Sequence, residues 1–414
     1  MRILYIHQYF AMPSTGGATR SYEMARRMVA SGHQVTLLTS SAFLPDSMIP
    51  HDGWNSLEVE GIQLQVLKLP YSNRLPFWKR ILRFVQFLVR VSLRARHWRG
   101  DVVFATSTPL TVAIPAVMTA RRNRVSMVFE VRDLWPELPI AIGAIKNPAL
   151  IRMASWLERF AYRNASQVVA LSPGMAEGIA RSGYPRERIR MIPNGCDMEL
   201  FDVRQSDCRE LLAAYPFLKD HPLVVYTGTF GKINGVGYLV EIAKAMKMID
   251  PGIRFIMAGD GAETELVKSA ANDAGLLNET VFILEPLTKY QVACLLEVAK
   301  VATSLFVNLP EMWNNSANKF FDALAAGCPL MINYGGWQAA LLEESGAGIV
   351  VSPNDAVSAA HKLSGFIADS DMRDRSASAA RMLAETRFDR DALASELIEV
   401  LEQASGVETV DAEG

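Results

Sequence analysis

Short, nearly continuous apolar runs alternate along the chain with longer stretches in which apolar residues return every three or four positions. The runs RILYIH (2–7), QVTLLT (34–39), IQLQVLKL (62–69), DVVFAT (101–106), VSMVFEV (125–131) and QVVALS (167–172) read as strands. Between several of them lie stretches of helical spacing such as TRSYEMARRMVASG (19–32). Strands separated by helices form parallel βαβ units, because a parallel pair needs a long crossover. The lack of polar alternation in these runs predicts a sheet covered on both faces. A second series repeats the pattern: LVVYTG (223–228), IRFIMAG (253–259), VFILE (281–285), VATSLFV (301–307), PLMIN (329–333) and AGIVV (347–351). YLVEIAKAMKM (238–248) and YQVACLLEVAK (290–300) are among its helices.

The pattern predicts an α/β protein of two tandem, doubly wound, Rossmann-like domains, and 414 residues exceed what one core organises. The expected divisions are 1–200, 201–385, and a terminal helix and acidic tail over 386–414, with that helix packing back on the N-terminal domain. The junction is expected near MIPNGCDMELFDVRQ (191–205), where Pro193, Asn194 and Gly195 supply turn chemistry. Open α/β sheets bind ligands beyond the carboxyl ends of their strands, so a cleft between the two domains is the expected site.

Composition narrows the chemistry. A formal net charge of −2 offers no general attraction to nucleic acid. Cysteines at 196, 208, 294 and 328 form no C-x-x-C pair and have no matching His cluster, so neither a metal site nor a disulfide framework is expected. The opening MRILYIHQYF is too short and polar for a signal peptide, and no long uncharged window predicts a membrane span.

Two glycine-rich turns follow strands. In QYFAMPSTGGATRSYEMA, Gly16 and Gly17 precede a helix expected to start near Ala18 or Thr19, so backbone and free N–H groups can approach an anion. In LVVYTGTFGKINGVGYLVEIA, Gly228, Gly231, Gly235 and Gly237 surround Lys232, an arrangement suited to a diphosphate. It matches neither G-x-x-x-x-G-K-[ST] nor G-x-G-x-x-G. A third candidate is NSANKFFDALAAGCPLMIN (315–333). Asn314, Asn315 or Ser316 is expected to cap a helix starting near Ala317, and Gly327 to end it in the left-handed conformation. Asn318 and Lys319 then lie in the first turn, where a phosphate can be held, and Asp322 lies one turn later, about 5 Å along the axis, where ribose hydroxyls can reach it. An intrahelical Lys319–Asp322 pair on a wet face is the competing account.

These residues resemble those of the family 4 glycosyltransferases. The matching segments are STGGATR, GHQVTLLTS, VFEVRDLWPE, IPNGCD, AGDGAE and NKFFDALAAGCP, and they extend over nearly the whole chain. The resemblance implies the two-domain GT-B fold and transfer with retention of anomeric configuration. The NSANKFFDALAAG form is similar to the branch that builds bacterial surface polysaccharides, which implies a UDP-linked, often N-acetylated, sugar donor and no metal or other cofactor. It assigns Gly16 and Gly17 to the donor phosphate and sugar, Asp322 to the ribose as the second acid of E-x7-E, and Asn318 to the α-phosphate. Three positions depart from the family pattern. Thr229, after Gly228, and Asn234 stand where Arg and Lys are common, so the charge must come from Lys232 or Lys319. Asn314 stands where the first acid of E-x7-E would fall. Arg132-Asp133 replaces a His-Asp pair.

In such a transferase Lys232, Lys319 and backbone amides stabilise the leaving diphosphate. Asp133, beside Arg132, is the side-chain candidate for assisting loss of the acceptor proton. An ion pair that merely shapes the strand end is the competing account for Arg132-Asp133. PFWKRILRFVQFLVRVSLRARHWRG (76–100) has seven Lys or Arg from Lys79 to Arg99 and no acid, interleaved with apolar residues and with Trp78 and Trp98 at the ends. Such a basic amphipathic helix fits an anionic membrane surface, and so a cytoplasmic enzyme peripheral on the inner face with a lipid-linked or glycan acceptor. A sugar-nucleotide epimerase or hydrolase on the same fold, or an inactive partner subunit, are the alternatives.

Overall fold

The computed structural model describes residues 1–15, 17–71 and 75–406. They form two units, one of Met1–Pro193 together with the chain from Asp391 on, the other Asn194–Arg390. The division thus falls at Pro193, inside the IPNGCD turn, rather than at residue 200.

In the first unit the strands are β1 (Arg2–Ile6), β2 (Gln34–Ser40), β3 (Trp54–Val59), β4 (Ile62–Leu67), β5 (Val102–Thr106), β6 (Ser126–Val131), β7 (Gln167–Ala170) and β8 (Ile189–Met191). They make one sheet in the order β3-β4-β2-β1-β5-β6-β7-β8. All neighbours are parallel except β3 and β4, a hairpin closed by Glu60 and Gly61, both with positive φ. The apolar-run reading passes over β3 and β8. WNSLEV alternates buried and wet positions at one edge of the sheet, and β8 is a three-residue strand at the other.

The helices used below are α1 (Arg20–Ala30), α2 (Phe77–Ala95), α3 (Ala113–Asn123) and α4 (Pro148–Asn164). Strand side chains alternate between faces. Leu4 and Ile6 pack in a core with Phe87 and Val91 of α2, Ala116 and Ala120 of α3, and Ala161 and Tyr162 of α4. Ile3 and Tyr5 pack in a second core with Met24 and Met28 of α1.

The second unit has β9 (Leu223–Thr227), β10 (Arg254–Ala258), β11 (Val281–Leu284), β12 (Val301–Ser304), β13 (Leu330–Ile332) and β14 (Gly348–Val350), all parallel in the order β11-β10-β9-β12-β13-β14. Its helices include α5 (Gly237–Met246), α6 (Lys289–Val298) and α7 (Asn318–Ala325). The last helix, α8 (Arg390–Ser405), lays Leu393, Leu397 and Leu401 into the core that holds Ile3, Tyr5 and α1. In each sheet the order reverses at one place, between β1 and β5 and between β9 and β12. Chain ends diverge there and leave a crevice at the carboxyl edge.

Candidate functional site

In the second unit the reversal point is occupied by Lys319. Its Nζ donates to Tyr226 Oη at 2.9 Å and lies 4.3 Å from the centre of the Tyr226 ring and 5.8 Å from that of Phe306. Tyr226 is the buried penultimate residue of β9, and its hydroxyl donates in turn to Thr229 O at 2.8 Å. With the Asn234 carboxamide donating to Thr229 O (3.2 Å), its oxygen accepts from Lys319 Nζ, also at 3.2 Å. Burial lowers the ammonium of Lys319 to about 7, and Asp322 acts in the opposite sense. The cation therefore stands beside Asn234, the position where the family pattern carries Lys. Lys232, by contrast, is exposed, and among the described residues no ion pair engages it.

The glycines around this lysine serve close backbone approach. Gly228 has φ 137°, and a Cβ there would stand 3.3 Å from Lys319 Cε. Gly259, at φ 152°, would carry a Cβ 1.8 Å from Gly228 O. The two turns are stitched together by Gly228 N–H to Ala258 O (2.9 Å), Phe230 N–H to Asp260 O (3.0 Å) and Glu263 N–H to Phe230 O (2.9 Å). Thr229 is exposed at the tip of the first turn.

Helix α7 starts at Asn318 with Ala317 as its N-cap and no side-chain cap bond, so the Asn314, Asn315 or Ser316 cap expected above does not form. Asn314 ends a 3-10 turn over Pro310–Asn314, and Ser316 is buried, held by Asn194. Asn194 N–H donates to Ser316 Oγ (3.2 Å) and its carboxamide to Ser316 O (2.6 Å). The first-turn amides of α7 are thereby left without a side-chain cap. Half-buried Asn318 is its first residue, and Gly327, at φ 63°, follows its end. Asp322 is 7% exposed, and its Oδ2 accepts from Lys289 Nζ at 2.5 Å. The intrahelical Lys319–Asp322 pair does not form, because each side chain has a tertiary partner. Asp322 Oδ1 takes no hydrogen bond among the described residues.

Lys289 went unrecognised in the sequence. The capping box of Thr288 and Gln291 marks the start of α6, but nothing local connects Lys289 with a carboxylate 33 residues on. The IPNGCD turn is likewise held by distant partners: Arg390 donates to both carboxylate oxygens of buried Asp197 (3.0 Å each) and to Gly195 O (2.6 Å).

In the first unit the reversal point gathers His7, Ser107, Thr108, Arg132 and Asp133 at the ends of β1, β5 and β6. Thr108 Oγ1 donates to Asp133 Oδ2 (3.2 Å), and Arg132 N–H donates to Ser107 Oγ (3.0 Å). Burial raises the Asp133 carboxyl above the ordinary range, opposed by Arg132 and Thr108. No ion pair joins Arg132 to Asp133 among the described residues, so the competing account of a strand-end ion pair has no contact behind it. His7 Nδ1 bonds Ser21 Oγ (2.9 Å), and burial with Arg132 nearby lowers its pKa well below the usual value, so the ring is neutral. Gly17 has φ 118°, and a Cβ on it would meet Ala11 and Phe43 at 3.1 and 3.2 Å. Gly16 lies outside the described residues. Arg20, the end of STGGATR, is fully enclosed: it donates to Glu130 from Nε (3.0 Å) and Nη2 (2.8 Å), and to Pro193 O and Ile192 O. It ties the start of α1 to β6 and to the 192–193 turn from within the core.

Residues 15–195 match the model of the glycosyl transferase 4-like domain, and residues 209–383 that of glycosyl transferases group 1. A protein named as a colanic acid biosynthesis glycosyl transferase, WcaI of Escherichia coli, is 22% identical over 69% of this chain and 72% of its own. A glycogen synthase of Mycobacterium tuberculosis is 25% identical over 97% of this chain and 94% of its own. Among solved structures, Anabaena HepE in complex with UDP and glucose superposes with a TM-score of 0.72 at 17% identity, over 97% of this chain and all of that one. The chain belongs to the family 4 glycosyltransferases and has their GT-B fold, two parallel-sheet α/β domains in tandem.

Proposed function

We propose that the protein moves a sugar, N-acetylated on the reading of NSANKFFDALAAG, from a UDP-linked donor to a lipid-linked or glycan acceptor in surface polysaccharide synthesis, with retention at the anomeric carbon. The observation that carries this is Lys319, a half-buried cation held by Tyr226 and Asn234 at the end of β9, with uncapped amides of α7 beside it and Asp322 one turn on. A diphosphate gains negative charge as it leaves, and a fixed cation in a poorly solvated setting stabilises that charge without reorganising. Asp322 Oδ1 is assigned to the ribose and Lys289 to orienting that carboxylate. Lys232, Thr229 and Gly228 line the exposed side of the same turn and are assigned to the donor's outer phosphate and sugar; the family resemblance gives Gly16 and Gly17 a donor-binding role of their own. Asp133, whose carboxyl is raised by burial, is assigned to helping the acceptor hydroxyl lose its proton, with Arg132 tuning it. The departing phosphate is the other proton acceptor. HepE, solved with UDP, and the glycan-building relatives support the donor and product classes.

The protein works at the inner face of the membrane in this reading. Helix α2 buries Phe87 and Val91 on one side and exposes Trp78, Ile81, Leu82, Val85, Val89 and Leu93 on the other, with arginines alongside. A water-facing surface helix would not present a second apolar stripe. Trp98, expected at the interface, instead folds onto the core, and a Cβ on Gly100 would strike it at 2.2 Å. No helix among the described residues is long and apolar enough to cross a membrane.

Melting curves with UDP, GDP and a panel of their sugars test the donor assignment. A ligand at 100 times its Kd adds about 2.7 kcal/mol to stability. The expected result is a shift with UDP that Asp322→Ala abolishes. No shift with any nucleotide from a well-folded chain would sink the reading.

A further inference from the structure

Helix α4 lies in the same layer as α2 and α3, since all three pack into one core against one face of the first sheet. Its outer side has the character of α2. Leu150, Met153 and Trp156 are 42%, 60% and 58% exposed, and Met118 of α3, between the two, is 55% exposed. Across α2, α3 and α4 there are ten Lys or Arg and one acid, Glu158. That acid is half-buried, accepts from Tyr162 Oη at 3.2 Å, and is pushed by burial up to about 7. The layer therefore presents almost uncompensated positive charge among apolar side chains.

A hollow of about 380 Å³ opens on α4 between Trp156, Arg159, Phe160, Arg163 and Asn164. Trp156 stacks on Phe160 with ring centres 5.3 Å apart and planes 18° apart, forming an aromatic wall. Arg159 Nε donates to Ser155 O (3.1 Å), and Arg121 of α3 donates to Asn164 Oδ1 (2.6 Å), which brings a third guanidinium to the rim. No carboxylate pairs with Arg159, Arg163 or Arg121 among the described residues. Guanidinium groups are forks for phosphate oxygens, and tryptophan favours the depth of the glycerol region, so this grouping matches a phospholipid headgroup with its upper acyl chain.

We propose that α4 is a second membrane-docking element: Trp156 and Met153 enter the interface while Arg159 and Arg163 take the phosphate of an anionic lipid in the hollow. This extends, and rests on, the membrane reading of α2. The layer then meets the bilayer along two helices. Two separated anchors fix orientation as well as attachment, which one amphipathic helix, free to roll about its axis, cannot do.

The test is co-sedimentation of the full chain with vesicles of phosphatidylcholine alone or mixed equally with phosphatidylglycerol. UDP-induced melting shifts monitor the fold and the donor site separately. The wild-type chain is expected to partition onto the anionic vesicles only. Arg159→Gln with Arg163→Gln is expected to lower that partition about thirtyfold, since each basic residue at such a surface contributes close to a factor of five. Trp156→Phe is expected to lower the quenching of tryptophan fluorescence by brominated acyl chains to the part owed to Trp78 of α2, and unchanged quenching in Trp156→Phe overturns the α4 assignment. Wild-type partition by the double variant, alongside loss in Leu82→Ser with Val85→Ser on α2, overturns the α4 assignment and leaves α2 alone. Equal partition of the wild-type chain onto both vesicle types overturns the headgroup assignment. Failure of the wild-type chain to bind either vesicle overturns α2 and α4 together, while an intact UDP shift leaves the donor assignment standing.

Discussion

Lys319 is a cation that burial has made reluctant to carry its charge, and this has two opposite consequences. In the ligand-free protein its pKa of about 7 lies below the ordinary 10.5. Between those values the unfolded chain keeps a proton that the folded one releases, so its contribution to stability improves as pH rises through that window. A bound diphosphate supplies the missing counter-charge and restores the proton. UDP affinity is therefore expected to be highest below pH 7 and to weaken by up to about tenfold per pH unit above it. Calorimetry at pH 8 in buffers of different ionisation enthalpy should show uptake of close to one proton. Lys319→Ala is expected to weaken UDP binding by about 1.5–3 kcal/mol and to abolish the proton uptake, whereas Lys232→Ala should change affinity by less than about 1 kcal/mol. A full proton uptake in Lys319→Ala would assign the titration elsewhere. The sequence showed both lysines but could not rank them. Lys232 earns attention from its neighbours in the chain, while Lys319 reaches Tyr226 across 93 residues. The same limit hid Lys289: Asp322 could be singled out from its own segment, but its ion pair could not.

At the scale of elements, apolar runs located most strands within a residue or two, because buried parallel strands leave few polar positions to confuse the pattern. What they missed were edges: β3, half wet, and β8, short and mostly exposed. The glycine-rich turns were visible as turns, but their purpose was not. Periodicity says nothing about which backbone a glycine must let through. Gly259 and Gly237 separate the two kinds. Gly259→Ala places a Cβ against Gly228 O and is expected to cost more than about 1 kcal/mol, and to weaken UDP binding by shifting the turn that frames Lys319. Gly237→Ala meets nothing within 4 Å and starts α5, so it should stabilise by about 0.4–1 kcal/mol. Chemical denaturation of both variants checks the contrast, and equal effects would mean that the turn packing contributes little.

For the whole molecule, the two-domain α/β architecture was evident in the sequence, since the series of strands restarts after the junction. The exact division was not, because the chain crosses between units twice and the crossings hold each other through Arg390 and Asp197, 193 residues apart. Leu397 of α8 is wholly buried in the first unit's core. Leu397→Ala is expected to destabilise that unit by about 2–5 kcal/mol while leaving the UDP-dependent stabilisation of the second unit in place. Urea unfolding followed with and without UDP measures both, and a loss of the UDP effect would show that the two are not separable.

The return of α8 also orders the birth of the protein. Synthesis runs from the N-terminus, and domains fold as units when their residues have emerged. The first unit is begun first yet finished last, for the face bearing Ile3, Tyr5 and Phe104 has no cover from α8 until residues near 400 leave the ribosome. The second unit, continuous from Asn194 to Arg390, completes before it. During that interval the nascent chain carries an apolar sheet face covered by α1 but not yet by α8, alongside a finished second unit, and that is when it has most need of a chaperone.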